Sequence, residues 1–325
     1  MVIQRYLAAT QPASALAEPH LLSEAKQQWN SFVQSSRNGT FLFERDYMDY
    51  HATRFNDYSL MFMQANNIVA VMPANQIEDT LITHGGLTFG GLVMANKLGA
   101  IQVLDIFTQL GEYLHQHGFK KLIYKATPHI YHRVPSEDDL YALHRLGATT
   151  ERMDLSTTIQ QTSRLPLAKM RLRAIAKAKQ AEINIVQSQD YASFWALLSQ
   201  VLNSQHGAIP THSVEEITQL ANRFSQIKLY LAIAQGQLLA GTVIYHYGTV
   251  AHAQYLASSD IGKQCGALDY LLEHLITQVY VDQPYFNFGI STSNAGHNLN
   301  AGLSAQKEMF GGRSTILQWL TLSCA

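Results

Sequence analysis

The chain has 325 residues, 47% hydrophobic and 14% charged, enough apolar material for one large or two ordinary domains, which excludes a disordered chain. Its 23 basic and 24 acidic side chains give a formal charge of −1, which excludes a uniformly basic nucleic-acid surface and leaves room only for a local patch. Two cysteines, Cys265 and Cys324, are too few for a disulfide framework or a zinc site of their own and fit a reducing compartment. No apolar run reaches the length of about 18 residues that spanning a bilayer needs, and segment 1–22 has no apolar core of signal-peptide type. A soluble, cytoplasmic protein is expected.

In chain order, LLSEAKQQWNSFV (21–33) sets Leu21, Leu22, Ala25, Trp29, Phe32 and Val33 on one helical face. RDYMDYHATRF (45–55) mixes Tyr47, Tyr50, His51 and Arg54, which fits either a sugar or peptide site or an aromatic packing face. SLMFMQANNIVAVMPAN (59–75) reads as a hairpin turning at Asn66 and Asn67, residues that tolerate positive φ. HGGLTFGGLVM (84–94) reads as a strand: no Lys-Ser/Thr pair ends it as a phosphate loop requires, and no G-x-G-x-x-G fits. AIQVLDIFTQLGEYLHQHGF (100–119) is an amphipathic helix closed by Gly118. KKLIYKATP (120–128) is a strand stopped by Pro128, DDLYALHRLGA (138–148) a helix, and 149–159 a strand.

The same order then returns. DYASFWALLSQVLNS (190–204) is a helix, LYLAIAQGQLLAGTVIYHYG (229–248) a hairpin turning at Gln235–Gly236, and VAHAQYLASS (250–259) a third strand. GALDYLLEHLITQVYVD (266–282) is a helix, YFNFG (285–289) a strand, LSAQKEMFGG (303–312) a helix, and STILQWLTL (314–322) a last strand. Gly99 and Gly266 open matching helices 167 positions apart, Gly147 and Gly311 close matching helices 164 apart, and the hairpin turns at Asn66 and Gln235 differ by 169. The spacing predicts a duplication, with units 1–160 and 161–325 and a boundary near 156–170.

Helix, hairpin, strand, helix, strand, helix, strand resembles the element order of the GNAT acyl-CoA N-acyltransferases, and two such units resemble the Fem-type and related tandem enzymes. The likeness rests on KMRLRAIAKAKQAEINIV (169–186) and FNFGISTSNAGHNLNAGLSAQKEMFGG (286–312). It implies an α/β fold, α+β mixed sheets with flanking helices, duplicated in tandem. It also implies acetyl-CoA or another acyl-CoA as co-substrate, and a fourth strand whose bulge frees backbone N–H groups for it. The acyl donor then sits on Leu256, Ser258, Gly262, Lys263, Gly266 and Ala267 of the second unit, the last four matching the family's pyrophosphate turn only loosely. The corresponding turn of the first unit, ANKLGA (95–100), is short, which marks that unit as degenerate for cofactor and a contributor of substrate contacts. The acceptor, an amine on an amino sugar or amino-acid-like molecule, is expected between the units.

No Ser-His-Asp or Cys-His spacing identifies a covalent nucleophile, and Cys265 reads as packing, so direct transfer through a ternary complex is expected. His297 is a candidate base, with Asn294 and Ser291 in the same polar loop after a strand. Lys307 is either catalytic or, with Glu308, an exposed charge pair. In the first unit Lys125, His129, Tyr131 and His132 gather in one turn-rich segment, and Gly85, Gly86 and Gly90 lie where substrate approaches the backbone or the chain bends. No metal site is expected, since His129 and His132 lack a third ligand. Lys169, Arg171, Arg173, Lys177 and Lys179 hold either the phosphates of coenzyme A, the acceptor stem of an aminoacyl-tRNA (the donor of Fem ligases), or only solvent. A Fem-like ligase using charged tRNA and a non-catalytic binding protein are the alternative readings.

Overall fold

The computed structural model describes residues 1–6 and 19–324. The reading of 7–18 as part of a chain start without a leader, and the placing of the Leu21 side chain on a helical face, lie outside the described residues. The chain divides into two units, one of residues 1–154 with 316–325 and the other of residues 155–315. The change of unit falls inside strand Thr149–Gln160 and again inside strand Arg313–Ser323. The expected division at 160 lies further along the first of these strands, and it assigned the last strand wholly to the second unit.

In the first unit Val2–Arg5 pairs antiparallel with Leu60–Gln64, which turns through Ala65 and Asn66 (φ 47° and 63°) into Asn67–Met72, followed by Val93–Met94. A second set of strands runs from Asn56–Asp57 through a hairpin of Asn75–Ile77 and Thr80–Ile82 to Lys121–Lys125. Trp319–Ser323 completes it antiparallel to Lys121–Lys125. Helix Ala100–Gln116 buries Val103, Ile106, Phe107, Leu110 and Leu114, the 3.6-residue stripe read from sequence.

The 84–94 stretch is not a strand: only Val93–Met94 pairs, and the rest is a chain of turns. His84 and Gly91 stand at φ 60° and 88°, and a Cβ on Gly90 would lie 2.1 Å from the Thr83 carbonyl oxygen. The glycines let this turn fold against its own unit. Gly90 N–H donates to the Lys125 carbonyl at 2.8 Å, and Leu92 N–H donates to Tyr124 Oη at 2.7 Å. The Lys125 ammonium, 2% exposed, donates to the carbonyls of His84 (3.1 Å) and Leu87. Burial first, and Arg152 second, lower its pKa to about 7.

In the second unit Asn184–Ser188, Ile227–Ala234, Gln237–His246 and Val250–Ser258 form an antiparallel meander. Tyr285–Ile290 joins Val250–Ser258 in parallel and pairs antiparallel with 156–160 on its other side. The core gathers Ile244, Ala253, Leu271, Leu275, Phe286, Phe288 and Phe310. Helix Val214–Arg223, missed in the sequence, is announced by a Ser213–Glu216 capping box.

The expected helix 266–282 is instead two pieces, Ala267–His274 after the left-handed Gly266 and a wide π turn at Leu275–Val279, and the expected turn before it is a short helix, Asp260–Cys265. At Gly262 and Gly266 the close approach that the sequence implies is made by the chain itself. A Cβ on Gly262 would lie 2.1 Å from the Leu239 carbonyl oxygen, and one on Gly266 2.4 Å from that of Ala174. The space left by the missing side chains is filled by the chain's own carbonyls.

Gly262→Ala is therefore expected to cost about 1–3 kcal/mol of stability, read as a lowered urea midpoint; an unchanged midpoint refutes the packing role. Lys125 gives a signed pH effect. Between pH 7 and 10.5 the unfolded chain keeps this proton while the folded chain has lost it, so the group's contribution to stability rises with pH. The difference in unfolding free energy between parent and Lys125→Met should climb by up to about 1.4 kcal/mol per pH unit over that window. A flat difference would show that the ammonium is not buried.

Candidate active site at a fork between two strands

Strands Val250–Ser258 and Tyr285–Ile290 pair for only three residues, Val250–Tyr285, Ala251–Phe286 and His252–Asn287. Beyond His252 no pairing between them exists among the described residues, so they part as a fork. Opposite Gln237–His246, the partner of Val243 is Tyr255 and that of Ile244 is Ala253, which leaves Gln254 as an extra, bulged residue next to the fork. A second irregularity lies on the other prong, where register against 156–160 shifts between Asn287 and Ile290 and Gly289 stands at φ 75°.

A polar network sits at the branch point. Asn287, 1% exposed, donates through Nδ2 to Ser156 Oγ (2.8 Å) and Thr158 Oγ1 (2.7 Å). Its Oδ1 accepts from Gly289 N–H at 2.8 Å and meets His252 Nδ1 at 2.7 Å. A backbone N–H only donates, so the atom facing Gly289 has to be the amide oxygen. It follows that His252 Nδ1 carries the proton and Nε2 the lone pair. Burial lowers the His252 pKa to about 4, against the raising effect of Asn287 and with help from Lys307. The ring is neutral at pH 7.

Lys307 stands beside this network. Helix Ala301–Glu308, capped by Asn300 through Leu303 N–H, carries it inward, 7% exposed. Its Nζ donates to the carbonyls of Gly289 (3.0 Å) and Ile290 (2.6 Å). It makes no ion pair among the described residues, and burial lowers its pKa to about 8. The reading of Lys307 and Glu308 as an exposed charge pair is thus corrected: Glu308 accepts from Ser304 Oγ at 2.9 Å instead. Ser291 follows directly, with a buried Oγ that has no partner among the described residues.

The other expected residues are scattered. Asn294 and His297 lie at the exposed tip of a small hairpin, Thr292–Ser293 against Asn298–Leu299, away from the buried network. Leu256 is half-buried, Ala267 fully buried, and Ser258 Oγ donates to the Leu239 carbonyl at 3.3 Å. Lys263 is exposed and pairs with Asp260 at 3.1 Å. In the first unit Gly85 and Gly86 are exposed, as is His129, while Tyr131 is buried against Phe89 and His132 Nε2 bonds the Thr127 carbonyl at 3.0 Å. Among the described residues no three His, Cys, Asp or Glu side chains are placed to hold a metal, and no helix is long and apolar enough to cross a membrane.

His252, Asn287 and Gln254 escaped the sequence reading. Their signal was a polar residue inside an apolar strand, Asn between two Phe in FNF and His between two Ala in AHA. The basic helix Lys169–Gln180 is real: Lys169, Arg173, Lys177 and Lys179 are exposed, whereas Arg171 pairs with Asp269 and lies 4.9 Å over the Phe310 ring.

No protein-family model and no curated protein sequence matches the chain. Solved structures do. FemX superposes with a TM-score of 0.64 at 10% identity, over 90% of this chain and 95% of its own. L-PGS from Bacillus licheniformis gives 0.57 at 12% identity, over 91% of each chain. A GNAT-family acetyltransferase from Colwellia psychrerythraea gives 0.51 at 12% identity, over 99% of each. With the fork, the bulge and the repeated order of elements, these likenesses show that the chain has a GNAT-like fold of the Fem type.

Proposed function

We propose that the protein is an acyltransferase that moves an acyl group from an activated ester or thioester to an amine at the fork of its second unit. The observation that carries this reading is Lys307, a buried ammonium with no carboxylate partner at the point where the strands part. An ammonium has three donors, and two are taken by Gly289 and Ile290. The third is left for an acyl oxygen, whose charge grows as the amine attacks. In a site of low dielectric such a donor is worth several kcal/mol to the transition state.

The fold is shared with FemX and with an acetyltransferase, so the donor is either an aminoacyl-tRNA or an acyl-CoA. The first is favoured. In the turn 260–267, Gly262 and Gly266 pack against the carbonyls of Leu239 and Ala174, and Asp260 opens the short helix there with a negative charge. Helix Lys169–Gln180, in contrast, exposes four cations and contains no acidic residue, a local footprint for a phosphate backbone on a chain of near-neutral charge.

The test uses alanyl-tRNA and acetyl-CoA, each radiolabelled in the acyl group, with lysine and glucosamine as amines. Transfer from alanyl-tRNA is expected, falling about 100- to 1000-fold in Lys307→Met. Reversing two charges, Arg173→Glu with Lys177→Glu, should weaken tRNA binding in a filter assay and flatten its dependence on salt by about two phosphate contacts. A folded parent that transfers from neither donor would sink the reading; transfer from acetyl-CoA alone would overturn the choice of donor.

A further inference from the structure

One group at the fork has the chemistry of a proton acceptor and no part yet in the transfer. The His252 imidazole is buried, neutral and held in a single tautomer by a chain of bonds that ends on a backbone N–H, that of Gly289. Gly289 also lies over the ring. It is half-buried beside the exposed Ile290, and a Cβ placed on it would meet His252 first, Cε1 at 3.5 Å and Nε2 at 4.0 Å. The Nε2 edge of the ring therefore lies under the one residue that carries no side chain to cover it, next to the carbonyl that Lys307 holds.

We propose that His252 is the catalytic base of the transfer, its Nε2 taking the proton of an amine that enters over Gly289, and that Asn287 is the positioning residue that fixes its tautomer. The assignment rests on the acyltransferase reading above. The amine nitrogen attacks the acyl carbon, a C–N bond forms, and the carbonyl π pair moves onto the oxygen facing Lys307. The proton of the resulting ammonium passes to Nε2. Collapse then breaks the bond from carbon to the ester oxygen or thioester sulfur. The leaving group departs with that electron pair and takes the proton back, which returns the imidazole to its neutral form. No oxidant, metal or covalent enzyme intermediate is needed.

The surroundings suit a base that is charged only in passing. The titratable or charged groups facing the ring are Lys307, from the helix that follows, and Tyr247, whose ring lies 6.3 Å away on the strand side. Lys307 disfavours a lasting imidazolium, so the proton is held briefly and handed on. Gln254, the bulged residue, hydrogen-bonds the same imidazole and favours its charged form. It also hydrogen-bonds Tyr255, so the ring is tied to the neighbouring strand residues. Asn287 cannot rotate, because Gly289 N–H and the hydroxyls of Ser156 and Thr158 fix both ends of its amide.

Two measurements test the assignment. Long-range 15N–1H spectra of the histidine-labelled protein should show His252 as the Nδ1–H tautomer, still neutral at pH 5. In Asn287→Asp, which keeps acceptors for His252 and Gly289, a new negative charge should move the ring's titration upward by at least one pH unit. The Nε2–H tautomer in the parent, or no shift in the variant, would overturn the proposal. In the transfer assay, His252→Gln retains a donor toward Asn287 but lacks a basic nitrogen. It should lose about 100- to 10,000-fold in rate with unchanged melting and unchanged tRNA binding. An active parent beside an equally active His252→Gln overturns this assignment alone. A parent that transfers from neither donor overturns the transferase reading, and the base with it.

Discussion

The backbone N–H of Gly289 needs an oxygen, and most of the second unit's chemistry depends on how that need is met. Because the strand is irregular there and Gly289 takes a left-handed φ, the N–H turns back to the side chain of Asn287 instead of a neighbouring strand. That single bond determines which end of the Asn287 amide is oxygen, and so where the proton of His252 resides. The same twist presents the carbonyls of Gly289 and Ile290 to Lys307. A residue with a Cβ would pay a conformational penalty at φ 75°. Backbone geometry, tautomer and cation are thus set by one position.

Both units bury a lysine ammonium, and each solves its solvation in the same manner, with backbone carbonyls and no carboxylate on Nζ among the described residues. Neutral oxygens satisfy the N–H donors without cancelling the charge, so the field of the cation remains available nearby. The consequences differ between the units. In the first, the carbonyls of His84 and Leu87 belong to a turn that also bonds the Lys125 carbonyl and Tyr124, so the space next to strand Lys121–Lys125 is taken up by the unit's own chain. In the second, the carbonyls belong to the strand prong itself. Tyr124, bonded to the buried Asp139 and to Leu92, reinforces the filled arrangement.

The architecture was legible where residues repeat with a period. Helix Ala100–Gln116, the hairpin at Gln235–Gly236 and the strand Val250–Ser258 follow from apolar spacing and turn residues alone. What failed were the glycines. In HGGLTFGGLVM and GKQCGA the sequence shows that the backbone is approached closely, but not by what. The answer is the unit's own chain: carbonyls of Leu239 and Ala174 at Gly262 and Gly266, the Thr83 carbonyl at Gly90, and side chains of Phe55, His51 and Tyr124 at Gly85, Gly86 and Gly91. Lys307 was visible as a candidate beside Glu308 in a glycine-ended helix, whereas its burial was not. His297 was read from the polar composition of its loop, which does not reveal that the residue stands at the exposed tip of a small hairpin. His252 and Asn287 were under-read because each lies in an apolar strand, where a polar residue is worth a question. Only the pairing across strands, which no local pattern encodes, brings them together.

One partner of strand Lys121–Lys125 is Trp319–Ser323, far downstream in the sequence. On a ribosome, therefore, the first unit emerges with an open edge and cannot close until the second has been made. At ordinary elongation speeds that interval is roughly ten to forty seconds, long on the timescale at which unpaired strand edges find other chains. Pairing across so many intervening residues is also slow in itself. The nascent first unit is thus exposed to chaperones until residues 319–323 have been made and have left the ribosome.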